Sequence, residues 1–235
     1  MALPKLQTSE YTLTLPSTEE KIKYRPFLVK EQKILMIAQE SGEESQLADA
    51  MNTLVSNCTF GVVDAHTTPM FDIEYVFLQL RAKSVGAKVK LSVTCPDDEK
   101  TKVDVEINLE EINVQRSVEH TQEIVLTEDI RMNFRYPLLK DLRGLNDNFG
   151  DFEKAMIMVY ECLDTVIDGD EKIQRIDMTK DEGTEFIDSF NTEQLENVMQ
   201  FFETMPKLRH VVDITNPKTK VKSEVLLEGL ESFLG

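Results

Sequence analysis

Long apolar runs are missing from this chain. None approaches the roughly 18 residues that a membrane-spanning helix needs, so no span is expected. The opening stretch MALPKLQTSE has no basic start followed by an apolar segment, which argues against a secretion signal. Cysteine is scarce. Cys58, Cys95 and Cys162 are odd in number and far apart, a pattern that suits reduced thiols in a cytoplasm rather than a disulfide frame. Basic charge is short as well. With 26 Lys and Arg against 43 Asp and Glu, the net charge is −17 and the pI about 4.6. That balance disfavours non-specific binding to nucleic acid or to an anionic membrane.

Catalytic motifs are missing too. There is no Gly-rich phosphate loop, no His-Glu-x-x-His and no Gly-x-Ser-x-Gly. His66, His120 and His210 are scattered and have no partner at metal spacing, so each reads as a surface or strand histidine. Asp164 to Asp170 resembles the start of a calcium loop, but its third position is Val166 and its twelfth Arg175, which breaks the ligand rule. Cys95 sits where a zinc ribbon places a Cys-x-x-Cys knuckle. Here the second position is Asp98, and no distant pair completes four ligands. Cys58 and Cys162 fall on helical stripes and lack the His partner of a thiol nucleophile. The expectation is a protein that is not an enzyme, with no catalytic residue, no cofactor and no metal.

What the chain has is size and repetition. At 235 residues with 41% hydrophobic content it can bury a real core, as one large domain or two small ones. The stretch Lys100 to Glu110, KTKVDVEINLE, returns as Lys218 to Glu228, KTKVKSEVLLE. Upstream, Val93-Thr94-Cys95-Pro96 answers Ile214-Thr215-Asn216-Pro217. Earlier, the ten residues from Ile22 to Glu31 answer those from Met132 to Asp141. The offsets, 118 and 110, are near half the chain length. Matches in the same order at similar offsets point to an internal duplication.

Taken in order, Tyr11 to Leu15 and Ile22 to Arg25 read as a hairpin around Pro16-Ser17-Thr18. Leu28 to Ser41 reads as a helix whose second half, Ile34 to Ala38, is apolar all round and so is expected to be buried on every side. Leu47, Met51, Leu54, Val55 and Cys58 form one helical stripe. Thr68-Pro69 reads as the cap of a central helix, Met70 to Val85, stopped by Gly86. Val89 to Val93 and Val103 to Leu109 alternate as the strongest hairpin.

The second half begins near Gln122 with strands at Ile124–Leu126 and Ile130–Tyr136. A short helix at Leu138–Leu145 and a loop at Asn146–Gly150 follow. A helical stripe then runs from Phe152 through Leu163 to Val166. Asp168-Gly169-Asp170 turns into a short strand at Ile173–Ile176. Thr179 to Glu182 is a capping box opening a helix through Phe190. Another helix carries Leu195, Val198, Met199 and Phe202 up to Pro206. The repeated hairpin, Arg209–Thr215 and Val221–Leu227, comes next, and Leu230 and Phe233 share one side of a last turn. The expected fold is α+β and internally duplicated. Two hairpin–helices–hairpin lobes, 1–117 and 118–235, would be related by a pseudo-two-fold, with an extra segment at about 167–190 in the second.

Charge is unevenly spread. Cys95 to Ile130 holds 11 acidic residues against 3 basic, while Arg81 to Lys90 has four basic and none acidic. Lys21 to Lys33 has five basic residues and one acid. Pro206 to Val225 has five basic residues, Lys207, Arg209, Lys218, Lys220 and Lys222, against two acidic. Alternation places Lys218, Lys220 and Lys222 together on the wet face of one strand. Two readings follow: an acidic surface on another protein, or a second copy of this chain, binds there, or the lysines protect an edge strand from unwanted pairing.

Three segments carry a resemblance: MALPKL with YTLTLPST and IKYRPFLVKEQKILMIAQES; FDIEYVFLQLRAKSVG with SVTCPDD; and FFETMPKLRHVVDITNPKTKVKSEVLLEGLESFLG. In length and order they resemble the baseplate hub proteins of T-even-type contractile-tailed phages and the related hub-assembly factors. The resemblance spans most of the chain and is weakest from Asn146 to Thr192. It implies a structural component of the central hub, or a transient assembly factor absent from the finished particle. The implied partners are other hub and tail proteins. The implied location is the virion tail baseplate, with the host cytoplasm during assembly. It brings no catalytic residue. Relatives with paired cysteines at the hairpin would hold a metal there, but this chain lacks the second cysteine.

Overall fold

The computed structural model describes residues 7–145 and 149–233. The expected loop at Asn146–Gly150 therefore lies largely outside the described residues. The strands and helices run β1 (Tyr11–Thr14), β2 (Lys21–Tyr24), α1 (Val29–Ser41), α2 (Glu44–Cys58), α3 (Met70–Ser84), β3 (Lys88–Thr94), β4 (Lys102–Asn108) and β5 (Asn113–Gln115). They continue as β6 (Glu123–Val125), β7 (Ile130–Phe134), α4 (Asp151–Cys162), β8 (Leu163–Asp168), β9 (Glu171–Gln174), α5 (Lys180–Asp188), α6 (Thr192–Thr204), β10 (Lys207–Thr215) and β11 (Lys222–Glu228). Short 3-10 turns sit at Leu109–Glu111, Leu139–Gly144, Arg175–Asp177 and Leu230–Phe233. The fold class is α+β, as the mixed periodicities require.

The contacts divide the chain into two compact units, residues 1–115 with 207–235, and residues 116–206. This differs from the expected 1–117 and 118–235. The last hairpin, read as part of a second lobe, groups with the first 115 residues. The cause is β5, a strand too short to announce itself in the sequence. It pairs antiparallel with β10, Leu208 opposite Val114.

The first unit is built on α3. Ile73, Val76, Leu78 and Leu80 are fully buried on it, so it is apolar on nearly all sides because it is covered on nearly all sides. Its N-cap is Pro69, with no side-chain cap from Thr68. Asp72 in its first turn is buried and accepts hydrogen bonds from the Ser17 amide (3.1 Å) and hydroxyl, fixing the β1–β2 turn. Leu109, Ile112, Leu208 and Phe233 complete this core. The sheets here are β1–β2, β3–β4 and β11–β10–β5. Three of the hairpin turns share one construction: residue, proline, two more, then a residue of positive φ. Glu19, Glu99 and Lys220 take φ of 59°, 53° and 66°. Their amides donate back to the carbonyls of Leu15, Cys95 and Asn216 at 2.9 Å each.

α1 departs from expectation. Glu31 and Ala38 are its buried side, while Ile34, Met36 and Ile37 are 40%, 50% and 65% exposed. The helix packs on α2, and its inward face is set by the charged Glu31 rather than by the apolar run. β11 also departs. It starts at Lys222, so Lys218 and Lys220 belong to the turn and not to a strand face. Val221 is 45% exposed, whereas Val103 at the matching place of the repeat is half-buried.

The second unit places a four-stranded antiparallel sheet, in the order β6–β7–β8–β9, against its helices. Met132, Phe134, Val159, Cys162, Leu163, Val198 and Phe201 form its core. The helical stripe expected to run through Val166 stops at Cys162. Thr165-Val166-Ile167 is a β-branched run, stiff at χ1 and suited to a strand. It pairs as one, with Val166 opposite Met132. The capping box at Thr179 forms as expected, the Glu182 amide donating to Thr179 Oγ1 at 3.2 Å. Gly183 then lies on the Tyr160 ring so closely that a Cβ there would sit 2.9 Å from Cδ2 and nearer still to Cε2. The Arg175 guanidinium stacks on the same ring, 3.8 Å from its centroid.

Candidate functional site

The five basic residues of the last hairpin do not act as one patch. Lys207 Nζ and Arg209 Nε both bond Glu228, at 2.9 and 2.7 Å across the β10–β11 pair. Burial pulls the Glu228 carboxyl up, and these two cations more than offset it, holding it below the usual carboxylate range. Both side chains are therefore held by one carboxylate inside the fold. Lys218, Lys220 and Lys222 are exposed at the other end of the hairpin. Among the described residues none of the three has an ion-pair partner.

That turn is braced by its counterpart. The Asp97 carboxylate, in the β3–β4 turn, accepts from Asn216 Nδ2 at 3.0 and 3.1 Å and from the Thr219 hydroxyl. The Thr219 and Asn216 bonds lower its pKa. Asn216 Oδ1 accepts in turn from the Lys218 amide at 2.8 Å. Beside Asp97, Asp98 is tied to the Thr101 hydroxyl (2.6 Å) and amide (2.9 Å), which depress its pKa strongly. So the acidic turn Asp97-Asp98-Glu99 and the basic turn Lys218-Thr219-Lys220 meet at their tips. The site is a mixed-charge tip, not a uniformly basic face.

The cysteine and histidine candidates have structural surroundings. Cys95 is fully buried, its amide donating to the Thr101 carbonyl at 2.7 Å. Among the described residues no group of three or more His, Cys, Asp and Glu is placed to hold a metal ion. Cys58 and Cys162 are fully buried, and burial pushes their thiols up to about 11 and about 12. His120 is held between Thr204 Oγ1 (3.0 Å) and Tyr136 Oη (3.2 Å), with its ring against Phe201. Burial, and then the nearby Arg116, lower its pKa. Its spacing to Tyr136 and Thr204 in the sequence carries no recognisable signal.

Two further features escaped the sequence. In the second unit a pocket of about 400 Å³ is lined by Ile130, Val166, Ile173, Met178 and Phe186 together with Asp168, Asp177 and Glu182. Glu182 is occupied by Thr179, whose amide and hydroxyl bond it at 2.8 and 2.7 Å. The other feature is a pair of arginine clamps. Arg25 Nη2 bonds the fully buried Glu31 at 2.9 Å, and Glu31 also accepts the Leu28 amide at 2.9 Å. Arg135 bonds Asp141 through both guanidinium ends, at 2.7 and 3.0 Å, and Asp141 accepts the Leu138 amide at 2.8 Å. The Arg25 amide donates to the Cys58 carbonyl and the Arg135 amide to the Cys162 carbonyl, both at 2.9 Å.

Comparison with known proteins gives one family. The family model described as T4 bacteriophage base plate protein matches residues 8–235, nearly the whole chain. No curated protein and no solved structure matches.

Proposed function

Since the chain belongs to the T4 bacteriophage base plate protein family, we propose that it is a structural component of the central hub of the phage tail baseplate. It acts there through protein–protein contacts with other hub and tail proteins. The observation that carries this is the match over 8–235 together with the ordered segments that resemble hub proteins. The contact surface proposed is the turn bearing Lys218, Lys220 and Lys222, with Lys207 and Arg209 at the far end of the hairpin paired to Glu228. Its partner is an acidic surface. The chain itself works without chemistry of its own: Glu31, Asp141, Glu182 and Glu228 are each engaged in hydrogen bonds that hold the fold.

The alternative role is a hub assembly factor that acts in the host cytoplasm and leaves. Quantitative mass spectrometry of purified particles separates the two. The structural reading expects the chain in fixed stoichiometry with other baseplate proteins. Its loss from finished particles, with baseplates failing in its absence, would move the assignment to the assembly factor.

The duplication belongs to the same proposal. It is supported by the shared clamp geometry at Arg25 and Arg135, which lie at equivalent positions of the sequence repeat. It is supported also by β3–β4 and β10–β11, each a hairpin that follows a helix and turns through a proline.

A further inference from the structure

We propose that the outward stripe of α1 pairs with the same stripe of a second copy of this chain, the two helices running antiparallel. Val29, Lys33, Met36, Ile37 and Glu40 recur at i, i+4, i+7, i+8 and i+11, so they share one side of the helix. All five are exposed, Val29 to 66% and Ile37 to 65%. Large aliphatic side chains at that exposure, in register along one helix, form a surface suited to being covered. Next to it runs a groove of about 230 Å³ lined by Phe27, Leu35, Leu47, Met51 and Val85, which extends the apolar area.

The charges identify the occupant. Lys30 and Lys33 lie in the first half of α1, Glu40 in its last turn and Glu43 just past it. For an isolated helix this is the unfavourable order, since the macrodipole favours acids at the N-terminus and bases at the C-terminus. Lys30 has the buried Glu31 at 3.4 Å. Among the described residues Lys33 and Glu40 have no ion-pair partner. A two-fold axis placed between Met36 and Ile37 removes the conflict. It sets Lys33 opposite Glu40 of the other copy, a pair that occurs twice. It also sets Met36 against Ile37 at the centre. An isologous contact needs a patch that is complementary to itself, and this stripe is: basic, apolar, acidic in one direction and acidic, apolar, basic in the other. Axes about 8–10 Å apart let such side chains meet. One helix pair with its flanking groove is small beside the roughly 800 Å² per partner of a permanent interface. The association is therefore reversible in the free chain.

The test is sedimentation velocity of the purified full chain over a wide concentration range. A reversible monomer–dimer equilibrium is expected. Lys33→Glu and Glu40→Lys should each weaken it by about tenfold or more, because each puts like charges opposite one another. An equimolar mixture of the two variants should regain the wild-type dimer, since every opposed pair is then complementary. Ile37→Asp should abolish dimerisation while the circular dichroism spectrum stays unchanged. A wild-type chain that is monomeric throughout would overturn the proposal. So would a dimer indifferent to Ile37→Asp, or a variant mixture that fails to recover.

Discussion

The clamps at Arg25 and Arg135 close the same corner with different parts. In both, an arginine ends a hairpin, its amide reaches a cysteine carbonyl, and its guanidinium holds an acid six residues on. The acid also takes the amide three residues before it, doing the work of a cap where Leu28 and Leu138 offer no side-chain oxygen. After the corner the chains differ. The first becomes the 13-residue α1 and the second a 3-10 turn. The clamp is therefore a device for the corner, not for the helix after it. The acids differ in the same spirit. Glu31 reaches with one oxygen to Arg25 in a site where the arginine side chain is 12% exposed. Asp141 is gripped at both oxygens by an Arg135 that is 30% exposed and has the Glu161 carbonyl besides.

That contrast ranks the consequences of breaking each corner. Glu31→Ala leaves a nearly buried guanidinium with one carbonyl, that of Pro26, and the Cys58 sulfur, and should cost about 3–5 kcal/mol. Asp141→Ala leaves Arg135 water and two carbonyls, and should cost about 3 kcal/mol or less. Denaturant unfolding of both variants measures the gap, and equal losses would remove the distinction. The first corner also has a pH signature. Burial raises the Glu31 pKa, but the bonds from Arg25, Leu28 and Lys30 outweigh it and lower the folded value below the ordinary 4.5. A depressed carboxylate contributes stability above its unfolded pKa and loses it as pH falls below about 4.5. Glu31→Gln should flatten that acid limb.

Within the second unit, Gly183 gives the next largest effect. Alanine there gains helix propensity but meets Tyr160 at less than contact distance. Overpacking should win, with a net loss of about 1–3 kcal/mol. A stabilised Gly183→Ala would show that the ring yields freely. Smaller still is His120. Its pKa is lowered in the fold, so its neutral form contributes stability above the unfolded value of 6.5, and this is lost as pH falls below it. His120→Gln should remove that slope from unfolding curves between pH 7 and 5. Least costly to the fold is reversal of Lys218, Lys220 and Lys222 to Glu. The fold should hold while association with hub components slows at low salt. Unchanged baseplate assembly by a folded triple variant would remove this turn as the contact surface.

The hairpins, α3, α5, α6 and the capping box were legible because each is local: period two, period 3.6, or a cap four residues long. The repeat at Ile22–Glu31 and Met132–Asp141 was visible as letters, yet not as a clamp, because the cysteine carbonyl that completes each corner lies far along the chain. Three misreadings share that cause. The apolar run of α1 looked buried, but periodicity cannot say whether a second layer exists to cover it. Val166 fitted both periods, and pairing with Met132 decided for the strand. The last hairpin looked like part of a second lobe because three residues of β5, too few to show alternation, draw it to the first unit. For the candidate site, the residue types were readable and the split among them was not. Glu228 pairs with Lys207 and Arg209 only once β10 and β11 are in register.

Amine-reactive cross-linking of purified baseplates, read by mass spectrometry, tests most directly whether this chain works in the hub through its lysine-bearing turn. Lys218, Lys220 and Lys222 should link to lysines that lie within or beside acidic segments of other proteins at the centre of the baseplate, while Lys207 links rarely. Links from the three lysines only within the chain, or only to proteins at the baseplate periphery, would contradict it.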